Sequence, residues 1–289
     1  MKSEKEVMAL ICQVANADDR IRAVLLTGSR ANPKAAKDLF QDFDIIYIVT
    51  ELDTYLRDHT WVDIFGERLI LQLPEEMIIG DKDNHSFHYL MLFKDGNRID
   101  LTLFPLDKLA TDFKPNSLTK VLLDKGKLFQ KLPVPTDKDY LILRPTEKEF
   151  TDCCNEFWWV STYVAKGLCR NEITYAKEML EIPVRAMFLK IIEWYIGYRK
   201  NFSVSFGIAG RYMRYHLPPD LYTKILSTYP NSNRENIWDS LFLMTELFSD
   251  LAGKIAQTTG FNYNLEQEKN VTQYVKSVYD NYKNKLPLT

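Results

Sequence analysis

Gly28-Ser29, followed after twelve intervening residues by Asp42-Phe43-Asp44, pairs residue types suited to phosphate chemistry with residue types suited to hard cations. An apolar run (Ala23 to Leu26) leads into the Gly-Ser, and another (Ile45 to Val49) continues from the second aspartate. Side chains alternate along a strand, so Asp42 and Asp44 project from one face, with Cα atoms roughly 6.5–7 Å apart at about 3.3 Å of rise per residue. Two carboxylates at that spacing can share or bridge divalent cations. Gly28, lacking a Cβ, lets backbone approach an anion, and Ser29 offers a hydroxyl and an N–H to phosphate oxygens. A phosphate cradle facing a metal-binding pair is the apparatus of phosphoryl or nucleotidyl transfer.

Asp44 lies within an apolar strand, where a lone charge is costly and calls for a cation. A later run, Arg98 to Phe104 (RIDLTLF), carries Asp100 56 residues beyond Asp44. It follows Tyr89 to Phe93 (YLMLF) and the tight-turn signal Asp95-Gly96-Asn97, so a hairpin can return Asp100 beside the D-x-D strand. Convergence of Asp42, Asp44 and Asp100 on one metal site is the central expectation.

The elements that must position these residues follow from periodicity. A helix is expected over 4–18 and strands at 22–27, 43–50, 67–73, 88–94 and 98–104, with helices near 51–58 and 117–123. These do not alternate as β-α-β throughout, which favours a small mixed sheet. Pro133, Pro135 and Pro145 mark a linker. Beyond it the periodicity is helical: Thr146 and Glu149 have capping-box spacing for a helix to about Leu168. Helices near 172–199, 207–216, from Pro218-Pro219 onward, 233–258 and 268–284 complete the chain. The fold class is therefore α+β, with domains over 1–144 and 145–289, the second all-α.

The 289 residues are 46% apolar and 26% charged with a net charge of −2, the make-up of a globular protein of one large or two ordinary domains. That charge argues against a nucleic-acid partner, which requires many phosphate-neutralising Lys and Arg. No run approaches the roughly 20 apolar residues of a membrane span, and MKSEKEVMAL lacks a signal-peptide core. Cys12, Cys153, Cys154 and Cys169 show no C-x-x-C spacing, and the four histidines form no obvious metal cluster. Reduced thiols in a cytoplasmic protein are expected. Phe157, Trp158, Trp159 and Tyr163 read as core or domain interface, or else as a base-stacking platform. Asp152 and Glu156, one helical turn apart, either face solvent or attract a cationic sugar.

Several strings resemble the aminoglycoside 6-adenylyltransferases, the streptomycin-modifying group: LLTGSR at 25–30, QDFDI at 41–45, FGERLILQ at 65–72, IDLTL at 99–103 and VLLDK at 121–125. So do RPT at 144–146, DCCNEFWWVSTYVAKGLCRNEI at 152–173 and MRYHL at 213–217. The resemblance implies a polymerase-beta-like nucleotidyltransferase domain followed by a helical bundle. It also implies transfer of AMP from ATP, with Mg²⁺, to a hydroxyl of an aminoglycoside. On that resemblance Gly28, Ser29 and Arg30 hold the triphosphate, Asp42 and Asp44 bind metal, and Asp100 is a third ligand or the base. Arg185 matches a family arginine that reaches the phosphates. The family's Gly-Lys-Asn-Tyr-Lys stretch is here Gly207-Ile208-Ala209-Gly210-Arg211, with Arg211 in place of the second lysine. Thr27 stands where the family has a glutamate before the Gly-Ser. Two other readings compete: the same chemistry on another acceptor such as a lincosamide, and a nonenzymatic nucleotide-binding regulator.

Overall fold

The computed structural model describes residues 1–80, 85–129 and 131–284. It divides into two compact units, Met1–Asp139 and Tyr140–Thr289, and the break falls in the proline-bearing stretch.

The first unit opens with α1 (Glu4–Ala17), started by a capping box in which Ser3 accepts from the Glu6 N–H and Glu6 answers the Ser3 N–H. Then come β1 (Ile21–Leu26), the single turn α2 (Gly28–Ala31), β2 (Phe43–Val49), the short α3 (Leu52–Leu56), β3 (Arg68–Gln72), β4 (Phe87–Phe93), β5 (Arg98–Pro105) and β6 (Lys120–Asp124). The six strands form one mixed sheet in the order β3-β4-β5-β2-β1-β6. Only β2 and β5 run parallel, with Asp44 opposite Asp100; the other neighbours are antiparallel. On one face Val24, Leu26, Phe43, Ile45, Tyr47, Leu101 and Leu103 pack on Val7, Ile11 and Ala15 of α1. Alternation then sends the aspartates to the opposite face. Tyr47, wholly buried, satisfies its hydroxyl by donating to the Ile11 carbonyl at 2.7 Å.

The helix expected near 117–123 is instead β6. Val121-Leu122-Leu123 completes the open edge of β1, and Asp124 then accepts from the N–H groups of Gly126, Leu128 and Phe129, turning the chain away. An apolar run this short is equally compatible with helix and strand, and edge pairing decides.

The second unit is all-α: α4 (Glu147–Cys169), α5 (Ile173–Met179), α6 (Arg185–Arg199), α7 (Pro219–Leu226), α8 (Arg234–Thr259) and α9 (Leu265–Asn284). The capping box at Thr146 and Glu149 is present. Leu180–Val184, a wide π-type turn containing Pro183, joins α5 to α6. The helix expected over 207–216 is replaced by two 3-10 turns, Ile208–Gly210 and Met213–Tyr215. Gly207, Ala209 and Gly210 all have positive φ (71°, 51° and 76°), which no right-handed helix accommodates. Phe157 and Trp158 are core residues, Phe157 stacking on Phe248 at 3.6 Å, whereas Trp159 is 57% exposed.

Candidate active site

The turn after β1 is built on Gly28. Its φ of +67° is left-handed, and a Cβ built there would run into Oδ2 of Asp44 and stand 2.8 Å from its Cγ. The Thr27 N–H donates to the Asp44 carbonyl at 2.9 Å, so backbone bonds fix the Gly-Ser turn against the start of β2. Asp42 and Asp44 share a face, and the parallel register brings Asp100 alongside Asp44.

Electrostatics tie the three together. The Asp44 carboxyl is pushed up from 3.8 to about 6, first by burial and then by the charges of Asp100 and Asp42. Asp42 is also raised, first by burial and then by Asp100, against the pull of Arg98 and Arg30. Arg98, in the same strand as Asp100 and on the same face, was not foreseen from the sequence. Its Nε and Nη2 donate to the two oxygens of Asp100 at 2.8 and 2.7 Å, and its Nη1 lies 3.6 Å from Asp42 Oδ2. This fork holds the guanidinium above its usual range. The period-2 alternation that exposed the aspartates places Arg98 with them, and that was the signal available.

Among the described residues no three His, Cys, Asp or Glu side chains already close on one point as an ion's ligand set, since Asp100 is turned onto Arg98. The donor chemistry nevertheless fits a hard divalent cation: three carboxylates, oxygen only, whose mutual repulsion is incompletely relieved by the protein. Asp42, Asp44 and Asp100 are the residues that would hold it.

Arg30 sits beside the cradle but is turned inward, its side chain only 9% exposed. Nε donates to the Asp42 carbonyl at 3.0 Å and Nη2 to the Gln41 carbonyl at 2.7 Å. Nη1 is 3.5 Å from Glu4 of α1, and the guanidinium stacks 3.7 Å over the Phe43 ring. With its donors so committed, Arg30 clamps the backbone that carries Asp42 and Asp44. Arg185 is likewise buried. It bonds Glu181 through Nε at 2.5 Å and the Thr228 hydroxyl and carbonyl at 3.0 and 2.6 Å, and it stacks 3.6 Å over Tyr229. Its guanidinium is spent inside the helical unit. Arg211 is exposed, 5.0 Å from the Tyr212 ring, and Ile208 is 81% exposed. Asp152 and Glu156 are exposed on α4, with Asp152 paired to Lys148.

The streptomycin adenylyltransferase family matches residues 1–278. The chain belongs to that family of adenylyltransferase enzymes. Three similar proteins bear the name aminoglycoside 6-adenylyltransferase. One from Campylobacter jejuni is 43% identical over 275 residues, 95% of each chain. Those from Bacillus subtilis (strain 168) and Staphylococcus aureus are 39% and 35% identical, over 96% and 97% of this chain and 99% and 100% of their own. A crystal structure of an aminoglycoside 6-adenyltransferase from Bacillus subtilis aligns over 96% of this chain and 99% of its own, with 36% identity and a TM-score of 0.48. Within the streptomycin adenylyltransferase family, the geometry around Gly28 and the three aspartates generates three expectations.

Gly28→Ala should reduce transfer by about a hundredfold or more and destabilise the fold by only ~1–3 kcal/mol, because it strains one residue and displaces Asp44. Steady-state rates beside thermal unfolding test this, and wild-type turnover would refute the close-approach role.

The folded Asp44 carboxyl binds its proton more tightly than the unfolded one. Its charge therefore costs nothing below the unfolded value of 3.8, and the cost grows as pH rises, becoming complete above about 6. Asp44→Asn should stabilise the metal-free protein by up to about 3 kcal/mol near pH 7, and the gain should vanish near pH 4, while transfer is lost. Chemical denaturation at the two pH values measures it.

Arg30→Lys keeps the charge but removes the planar fork. It should lower kcat on the order of ten- to a hundredfold with KM for ATP near wild type. A raised KM for ATP with kcat preserved would instead mark Arg30 as a nucleotide ligand.

Proposed function

We propose that this protein transfers AMP from ATP to a hydroxyl of an aminoglycoside, streptomycin first among them, in a Mg²⁺-dependent reaction that inactivates the drug. One observation carries the chemistry: Asp42, Asp44 and Asp100 share a sheet face beside a glycine turn too close to Asp44 to admit a Cβ. The names of the relatives support the acceptor class.

In this reading the Gly28 backbone and Ser29 receive the polyphosphate, and Arg211 is a further phosphate contact. Asp42, Asp44 and Asp100 hold the cation, which when bound neutralises phosphate charge and aligns the attack on the α-phosphorus. Arg30 keeps the Asp42–Asp44 segment rigid, so the carboxylates do not have to be ordered at the moment of reaction. An Asp100 oxygen accepts the proton of the attacking hydroxyl as its oxygen bonds to the α-phosphorus and the bond to the β-phosphate breaks, releasing pyrophosphate, with Arg98 orienting that carboxylate. Asp152 and Glu156 remain proposed as contacts for a cationic acceptor. The family match across the chain and the assembled carboxylates weigh against a regulator that only binds nucleotide.

Mass spectrometry of a drug panel incubated with protein, ATP and Mg²⁺ is the test. Streptomycin is expected to gain one AMP unit and lincomycin none. A gain on lincomycin alone would overturn the aminoglycoside assignment, and ATP binding without modification of any drug would overturn the enzymatic one.

A further inference from the structure

The catalytic face of the sheet continues beyond Asp100. In β4, Leu90 is the register partner of Asp100 and Leu92 that of Arg98, and in β3 Gln72 and Ile70 pair with these leucines in turn. Together with Arg98 and Glu76 they line a cavity of about 670 Å³. Its floor is apolar, and its rim, the 3-10 turn Pro74–Glu76, is acidic and fastened in place. Glu75 accepts from the His88 N–H at 2.9 Å and meets His88 Nδ1 at 2.7 Å. Glu76 meets His59 Nε2 at 2.9 Å while its side chain stays 51% exposed. His59 is oriented in turn by the Tyr89 hydroxyl at 2.9 Å and lies parallel to the Phe87 ring. The two histidines, which the sequence left without a function, thus brace the rim.

We infer that this shelf on β3 and β4 is the acceptor subsite, and that it takes the cationic sugar of an aminoglycoside. The inference rests on the proposed transfer reaction and deepens it. Reading across the sheet, the Gly28 turn follows β1, Asp42 and Asp44 begin β2, Asp100 lies on β5, and the shelf occupies β4 and β3. In-line displacement places leaving group and attacking oxygen on opposite sides of the reacting phosphorus. With the polyphosphate on the β1 side, the attacking hydroxyl enters from the β5 side, and the body of the acceptor falls on the shelf beyond. The chemistry of that surface suits such a molecule: Ile70, Leu90 and Leu92 accept the C–H faces of a sugar ring, and the half-exposed carboxylate of Glu76 on the rim attracts a cationic group.

Ile70 allows a test that spares the fold, because it is 62% exposed on an edge strand. Ile70→Lys should raise KM for streptomycin about fivefold or more, whereas Ile70→Glu should leave it unchanged or lower it, as expected for one charge added at a binding rim. Binding of a nonhydrolysable ATP analogue, followed by calorimetry, should be the same in both variants and wild type. Equal effects of the two charges on KM, or a change confined to the ATP analogue, would overturn the subsite while wild-type transfer of AMP leaves the reaction standing. Failure of the wild type to bind or modify any aminoglycoside would overturn both.

Discussion

Mutual repulsion among Asp42, Asp44 and Asp100 is the constraint around which the first unit is organised. Burial first, and the neighbouring carboxylates with it, raise the pKa of Asp42 and Asp44, and like charges crowded on a half-buried sheet face oppose the compact state. The protein answers in part with Arg98, whose fork on Asp100 is the strongest ionic contact of the face and whose remaining nitrogen leans toward Asp42. Asp44 gains least from it, being the deepest of the three and shut in by the Gly28 turn. The carboxylates of the face are therefore left only partly compensated by the protein's own charges.

Holding such a face together requires rigidity that the strands alone do not supply. Residues 32–42 make a long excursion between the Gly28 turn and β2, and long loops are where conformational multiplicity lives. Arg30 converts its end into a fixed object by bonding two successive carbonyls, lying on Phe43 and reaching Glu4 of α1. The N-terminal helix therefore serves the site twice: its apolar stripe covers the reverse of the sheet, and its first turn supplies the counter-charge for the clamp.

How legible this was in the sequence depended on the range of the interaction. Period-2 alternation sufficed to put Asp42 and Asp44 on one face, and the Asp95-Gly96-Asn97 turn announced the hairpin that returns Asp100; the structure realises it with Gly96 at φ +84°. The capping box at Thr146 was equally local and equally readable. What escaped was set by partners distant in sequence. The internal partners of Arg30 and Arg185, among them Gln41, Glu4 and Thr228, could not be read from local pattern. Val121-Leu122-Leu123 reads as helix until the vacant edge of β1 claims it. The stretch from Gly207 to Gly210 failed for a different reason, because positive φ at three residues follows from the path of the chain and not from local propensity.

The two faces of β2 explain how so costly a site is tolerated. Phe43, Ile45 and Tyr47 alternate with the aspartate side and are buried to within about 1% of completely. Fully burying each such side chain contributes roughly 1.5–3 kcal/mol, so three together exceed the penalty of one carboxylate that burial and its neighbours push up to about 6. The same alternation links the two quantities. A register slip of one residue would carry the aspartates into the α1 core and the aromatics into solvent, reversing both contributions at once. The apolar half of the strand therefore stabilises the fold and also enforces which way the aspartates point. Selection for activity and selection for stability act on the same register.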